Sequence, residues 1–133
     1  MARLVLLDAS MVIALWQDYD AHHEWGLWQL GEFAADDLVM PSLTLTEALV
    51  HPAQAGQGEA LLASIETLRI GVLPFDGSSA LSLATTRAST GLKLPDALVL
   101  HEAGRVGAAL ATCDRKLESA SRTLGIQTFS PFN

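Results

Sequence analysis

Short aliphatic runs alternate with longer amphipathic segments along the chain. The first run, residues 3–7 (Arg-Leu-Val-Leu-Leu), is short and almost wholly apolar, as in a strand buried on both faces of a sheet. Residues 59–68 instead repeat their apolar side chains three and four positions apart, which is typical of one face of a helix. This alternation predicts an α/β fold with a mostly parallel central sheet and helices on both of its faces.

The hydrophobic pattern predicts a sheet of four to five strands in one domain that covers residues 1–133. The predicted strands cover residues 3–7, 38–40, 70–73, 108–112 and 126–129. The predicted helices cover residues 9–17, 21–34, 42 to about 52, 59–68, 76 to about 89, 95 to about 104 or 107, and 115–124. Asp8 or Ser10 is expected near the start of the first helix, Asp20 at the start of the second, and Gly91 just after the end of the fifth.

The composition fits one domain of ordinary size, because 133 residues that are 50% hydrophobic can bury a sizeable core. No apolar run approaches the roughly 20 residues that a membrane-spanning helix needs. The run that starts at Leu4 stops at Asp8, too soon for a signal peptide. We therefore expect a soluble, cytoplasmic protein. The single cysteine, Cys113, excludes an intramolecular disulfide framework and a multi-cysteine zinc site.

The net charge of −7, from 8 Lys and Arg against 15 Asp and Glu, argues against broad electrostatic capture of nucleic acid. It does not exclude a nuclease, since divalent ions at an acidic site cancel part of the negative charge. The cations that flank Asp96 and Asp114 in the sequence are Arg87, Lys93, Arg115 and Lys116.

Four carboxylates stand where the hydrophobic pattern changes. Asp8 and Asp114 each follow a predicted strand, Asp96 opens a predicted helix, and Glu47 lies within an apolar stretch. Because the carboxyl ends of parallel strands meet at one edge of a sheet, we expect these acids to lie close together. Clustered carboxylates repel one another and need cations, and their hard oxygen atoms suit Mg²⁺ or Mn²⁺. This arrangement indicates metal-assisted phosphodiester chemistry.

Each acid taken alone also has a structural interpretation. Asp8, Asp96 and Asp114 all stand where a carboxylate caps a helix or stabilises its first turn. Glu47 fits this interpretation least, because a glutamate among apolar neighbours is costly to bury unpaired unless its helix face is exposed to solvent. The four acids together favour a functional site, since all of them map to the same predicted edge of the sheet.

The acids stand in four motifs, whose order and spacing are more specific than any one of them: Leu7-Asp8-Ala9-Ser10, Thr44-Leu45-Thr46-Glu47, Gly91-Leu92-Lys93-Leu94-Pro95-Asp96-Ala97-Leu98 and Ala111-Thr112-Cys113-Asp114-Arg115. With these motifs the chain resembles, over essentially its whole length, the PIN-domain ribonucleases, and specifically the VapC toxins of toxin–antitoxin pairs. One departure is Leu117, where the family often has an aromatic residue.

The resemblance implies a metal-dependent endoribonuclease that inhibits translation and growth by cutting a transfer or ribosomal RNA. It implies that Asp8, Glu47, Asp96 and Asp114 hold Mg²⁺, with Mn²⁺ as a substitute. It also implies that polar side chains at Ser10 and Thr112 support the acids, and it makes Glu118 a candidate further acid. The implied partners are a VapB-like antitoxin and a second copy of the chain, which would join in a larger toxin–antitoxin assembly.

Other notable side chains have structural interpretations beside functional ones. The tryptophans are expected to fill the core or to anchor a partner helix: Trp16, Trp25 and Trp28. The histidines show no metal-ligand spacing and are interpreted as structural or surface residues: His22, His23, His51 and His101. Cys113 is expected to be a small buried residue. Arg87 and Lys93 are candidates for phosphate contacts, or else solvated charges.

Three alternatives to the nuclease remain. A receiver domain of a response regulator is also small and acidic and binds Mg²⁺, but it expects a pair of acids after the first strand, where this chain has only Asp8. A phosphotransferase with a nucleophilic aspartate usually has Asp-X-Asp, and here Ser10 stands at the third position. The third alternative is a PIN-like scaffold that binds without catalysis, although the full set of acids in this chain argues against it.

Overall fold

Five parallel strands form the central sheet. The computed structural model of the protein describes residues 2–132. The strands are β1 (Leu4–Leu7), β2 (Asp37–Pro41), β3 (Gly71–Leu73), β4 (Ala109–Ala111) and β5 (Thr128–Phe129). They lie side by side in the order β3-β2-β1-β4-β5, and every neighbouring pair is parallel. The predicted α/β class and parallel sheet are therefore confirmed.

In the part of the chain that the structure describes, seven helices connect these strands. They are α1 (Ala9–Trp16), α2 (His23–Glu32), α3 (Ser42–Gln54), α4 (Gly58–Thr67), α5 (Ala80–Thr90), α6 (Leu94–Val106) and α7 (Arg115–Thr123). A short 3₁₀ turn, Gly77–Ser79, precedes α5. Along β1 the side chains alternate, so that Val5 and Leu7 pack in a core with α1, α3 and α4, whereas Leu6 packs in a second core with α6 and α7. Helices thus cover both faces of the sheet, as predicted.

Strand β1 is buried on both faces, which explains its uninterrupted apolar sequence. From β1 the chain builds β2 and β3 on one side, then crosses over to build β4 and β5 on the other. The crevice at the carboxyl ends of β1 and β4 is therefore a topological switch point, where open α/β sheets bind their ligands. Among residues 2–132, no helix is both long and apolar enough to cross a membrane.

Some predicted helix boundaries are wrong, whereas Gly91 follows the end of α5 with a φ of 69°, as expected. Helix α2 starts at His23 rather than residue 21, because the Asp20 carboxylate accepts a hydrogen bond from the backbone N–H of His22 and forms a turn before the helix. Helix α3 continues to Gln54 through Pro52. Pro52 is buried and stands in the last turn, where only one intrahelical bond is lost.

Candidate active site

All four predicted acids line one cleft at the carboxyl-terminal edge of the sheet. This cleft, which we call the acid cleft, has a volume of about 420 Å³, and its lining includes Asp8, Glu47, Asp96 and Asp114. Asp8 is the N-cap residue of α1 and follows β1 directly, whereas Asp114 is the N-cap residue of α7 and comes three residues after the end of β4. Asp96 stands in the first turn of α6, and Glu47 projects from α3. The acids come from four helices and from both sides of the switch point.

Asp8 is almost fully buried, and its carboxylate is held by three donors. The backbone N–H of Met11 donates to Oδ1 at 2.8 Å, and this bond caps α1. The Ser10 hydroxyl donates between the two carboxylate oxygens, at 2.7 Å from Oδ1 and 2.9 Å from Oδ2. The Thr112 hydroxyl donates to Oδ2 at 2.5 Å. The Asp8 carboxylate therefore caps α1 and is at the same time held in place at the cleft by Ser10 and Thr112.

Backbone N–H groups orient the two hydroxyls that serve Asp8. The N–H of Cys113 donates to Ser10 Oγ at 2.9 Å, and the N–H of Asp114 donates to Thr112 Oγ1 at 3.0 Å. Each hydroxyl oxygen is thereby engaged as an acceptor while its proton is directed to Asp8. These hydrogen bonds connect the residues that follow β1 with those that follow β4, and the ends of the two strands are in register at Leu7 and Ala111. The expected supporting contact of Ser10 and Thr112 with an acid is thus present in the structure.

Burial, followed by the charge of a neighbouring acid, raises the pKa values of three of the acids, Asp8, Glu47 and Asp96. Burial raises the pKa of Asp8 from 3.8 to about 6, although its three hydrogen bonds oppose the rise and the charge of Asp114 adds to it. Burial, followed by the charge of Asp96, raises the pKa of Glu47. Burial, followed by the charge of Asp114, raises the pKa of Asp96. Carboxylates with raised pKa values in one cleft gain stability from a cation.

The side chains of the cleft determine which cation it would take and how many of the ligands would be water. Among residues 2–132, no three His, Cys, Asp or Glu side chains converge closely enough to enclose a metal by themselves. Mg²⁺ keeps several water ligands and commonly takes only one or two carboxylates from a protein. The donors here are carboxylate oxygens, which are the ligand type that Mg²⁺ and Mn²⁺ prefer. The residues therefore suit such an ion, with water completing its coordination.

Comparison with known proteins identifies the family. The sequence model of the PIN domain matches residues 5–122. This chain belongs to the PIN domain family. The PIN resemblance predicted from the sequence is confirmed, and the receiver-domain alternative is wrong, because receiver sheets have the order 2-1-3-4-5 rather than 3-2-1-4-5. No curated protein gives a significant match to this PIN domain.

Solved structures with the same fold include proteins from three bacteria. A toxin–antitoxin complex from Klebsiella pneumoniae matches with a TM-score of 0.71 and 19% identity, over 83% of this chain and 86% of that one. FitAcB from Neisseria gonorrhoeae matches with a TM-score of 0.69 and 20% identity, over 96% and 97%. A sarcin–ricin-loop-cleaving VapC toxin from Mycobacterium tuberculosis matches with a TM-score of 0.68 and 15% identity, over 87% and 94%. At these identities the likeness establishes a shared fold.

The cleft of this PIN domain also contains a residue that the sequence interpretation assigned to structure or surface. His51 lines the cleft beside the acids. It lies four residues after Glu47 on α3, and this spacing places both side chains on one helix face. The spacing was the sequence signal from which the position of His51 could have been predicted. Glu118 is absent from that lining and instead accepts from Ser130 Oγ and pairs with Arg122. Both contacts of the Glu118 carboxylate are therefore with residues outside the lining of the cleft.

The other residues that the sequence singled out lie partly in the core and partly at clefts or on the surface. Cys113 is half-buried, and burial, followed by the charges of Asp8 and Asp20, raises its pKa to about 12, which makes its thiol a poor nucleophile. Arg87 lines a neighbouring cleft that also contains Glu47. Trp16 and Trp25 pack against the core as expected, whereas 60% of Trp28 is exposed.

Two buried threonines give a matched test of the hydroxyl network. Thr112→Val is expected to cost about 1–3 kcal/mol of folding free energy, because it removes one donor from Asp8 and leaves the N–H of Asp114 without its acceptor. Thr44→Val removes a hydroxyl that has no hydrogen-bond partner among the described residues, so it is expected not to destabilise the fold. Urea unfolding of both variants measures the difference, and equal losses would contradict the network.

Proposed function

We propose that this PIN domain is a metal-dependent endoribonuclease and the toxin of a VapC-like toxin–antitoxin pair. It would hydrolyse RNA phosphodiester bonds in the cytoplasm and so inhibit translation and growth. The observation that carries the proposal is the convergence of four acids on one cleft at the switch point, with Asp8 held in a fixed orientation by Ser10 and Thr112. The extent proposed for this domain is residues 1–133.

The proposed roles follow from the position of each acid. Asp8 and Asp96 are assigned as direct ligands of Mg²⁺ or Mn²⁺, and Asp114 as a ligand that acts directly or through water. When bound, the ion supplies positive charge for the phosphodiester and makes water more acidic. Glu47 either ligates the ion or orients the attacking water as a base. The raised pKa of Glu47 favours the role of a base. The expected products carry a 5′-phosphate and a 3′-hydroxyl.

The proposed partners follow from the similar structures and from one exposed surface. The Klebsiella pneumoniae structure is a toxin–antitoxin complex, and a VapBC-1 structure from nontypeable Haemophilus influenzae shares the fold. We therefore assign a VapB-like antitoxin to this chain, together with a second copy of the chain in a larger assembly. Leu27 and Trp28 on α2 are 49% and 60% exposed, and such apolar side chains suit a partner helix. The proposed substrate is a transfer or ribosomal RNA.

Cleavage of a structured RNA tests the nuclease directly. Purified protein, free of antitoxin, is expected to cut total transfer or ribosomal RNA with Mn²⁺ and to leave it intact with EDTA. Folded protein that cuts neither RNA under either condition would support the alternative of a binding scaffold without catalysis. The metal comparison separates the proposed activity from a contaminating metal-independent ribonuclease.

Metal binding is expected to stabilise the fold. An ion that binds the folded state stabilises it by about 2.7 kcal/mol at 100 times its dissociation constant, so millimolar Mn²⁺ or Mg²⁺ should raise Tm. Asp96→Asn should reduce the shift, whereas Glu66→Gln, an exposed acid on α4, should leave it unchanged. Scanning calorimetry with EDTA and with added metal measures the shift. The same Tm in both conditions would count against a metal site in the acid cleft.

A further inference from the structure

A second pocket adjoins the acid cleft and is lined by cations. It has a volume of about 520 Å³ and shares Asp96 and Asp114 with the cleft. The rest of its lining includes Lys93, Arg115 and Lys116. We call this the basic pocket. Because two acids belong to both cavities, the basic pocket and the acid cleft form one continuous surface.

The three cations of the basic pocket are available to a ligand. The chain has eight Lys and Arg residues, and within residues 2–132 three of them form ion pairs with acids, namely Arg3, Arg105 and Arg122. Within residues 2–132, by contrast, no carboxylate lies within 4.0 Å of the charged nitrogens of Lys93, Arg115 or Lys116. An acidic protein with few cations therefore concentrates three of them beside its acid cleft.

The local structure holds these cations at the pocket. Lys93 is the residue before α6, and Arg115 and Lys116 are the first two residues of α7. The guanidinium of Arg115 lies 4.1 Å from the centre of the Phe132 ring, a cation–π contact. Lys93 and Lys116 line the same pocket as the Asp96 carboxylate.

We propose that the basic pocket binds a backbone phosphate of the RNA strand whose neighbouring phosphodiester lies in the acid cleft. This inference rests on the proposed nuclease function. A net charge of −7 repels RNA, so local cations must provide the attraction that positions the strand. Lys and Arg side chains are the usual partners of phosphate oxygens. A strand that passes Asp96 and Asp114 would place one phosphate in each cavity.

Salt dependence of RNA binding tests this inference. Lys93→Gln and Lys116→Gln are compared with Arg69→Gln, which neutralises an exposed cation before β3, at the opposite edge of the sheet. Each protein also carries Asp8→Asn to prevent cleavage, and the probe is a fluorescein-labelled single strand of ten uridines with Mg²⁺. Removing one phosphate contact should flatten the slope of log K against log salt by about 0.7 and weaken binding.

The expected result is a flatter slope for Lys93→Gln and Lys116→Gln and an unchanged slope for Arg69→Gln. Unchanged slopes in both lysine variants, an equal change in the Arg69 variant, or no binding by the parent would overturn the inference. Cleavage of RNA by the wild type with Mn²⁺ is measured alongside. Cleavage with unchanged slopes would support the nuclease function and contradict the phosphate site. Altered slopes without cleavage would support an RNA-binding pocket and contradict the nuclease function.

Discussion

Asp96→Asn is expected to lower RNA cleavage by at least about 100-fold, the loss typical of removing one group that stabilises a transition state. Asp96 lines both the acid cleft and the basic pocket, and its charge contributes to the raised pKa of Glu47 after burial. Asparagine keeps the shape of the side chain and removes a ligand oxygen with its charge. Stability should change by no more than about 1 kcal/mol, because Asp96 is a first-turn acid of α6. Single-turnover cleavage with saturating Mg²⁺ measures the loss.

Asp37→Asn provides the matched control for this prediction. Asp37 is exposed and starts β2, at the edge of the sheet opposite the acid cleft. Its variant should cleave RNA at the wild-type rate, with a similar Tm. Full activity in Asp96→Asn would remove Asp96 from the proposed ligand set, and a loss shared by both variants would point to general destabilisation.

Asp8 is expected to make the metal-free protein less stable as pH rises. Its pKa is about 6 in the folded state against 3.8 in the unfolded state, so the folded state holds the proton more tightly. The stability this provides is fully present below pH 3.8 and is lost as pH rises through 6. At 1.36 kcal/mol per pKa unit the whole effect is about 3 kcal/mol, of which roughly half falls above pH 5.

Asp8→Asn removes this titration. In EDTA, urea unfolding at pH 5 and pH 8 should show a larger loss of stability for the wild type than for Asp8→Asn. Glu47 and Asp96 also have raised pKa values and titrate with the same sign, but both proteins retain them, so the difference reports Asp8. Identical pH dependence in the two proteins would show that the Asp8 carboxylate is not desolvated in the folded state.

The sequence predicted the fold well because its local signals agree with one another. β1 is uniformly apolar, and it is the central strand buried on both faces. Gly91 follows the end of α5 in the left-handed conformation that glycine favours. The errors occur where a second local preference or tertiary packing opposes the signal that the prediction used. Asp20 stabilises a turn instead of capping α2, and tertiary burial of Pro52 outweighs its tendency to end α3.

The candidate site was predictable only in part. Parallel strands bring acids that follow them to one edge, so the shared cleft followed from the strand assignment. The hydrogen bonds of Ser10 and Thr112 to Asp8 depend on the register of β1 with β4, which no local pattern specifies. Prediction of the basic pocket would have required the same long-range information, because Lys93 comes just before α6 whereas Lys116 lies in the first turn of α7.

Mapping of RNA ends tests the central claim most directly. Wild-type protein and Asp8→Asn are incubated with total cellular RNA and Mg²⁺ or Mn²⁺, with EDTA as a control, and the new 5′-phosphate ends are sequenced. We expect discrete cuts that require both the metal and the Asp8 carboxylate. Equal cutting by Asp8→Asn, or no cutting by folded wild-type protein free of antitoxin, would contradict the proposed metal-dependent ribonuclease.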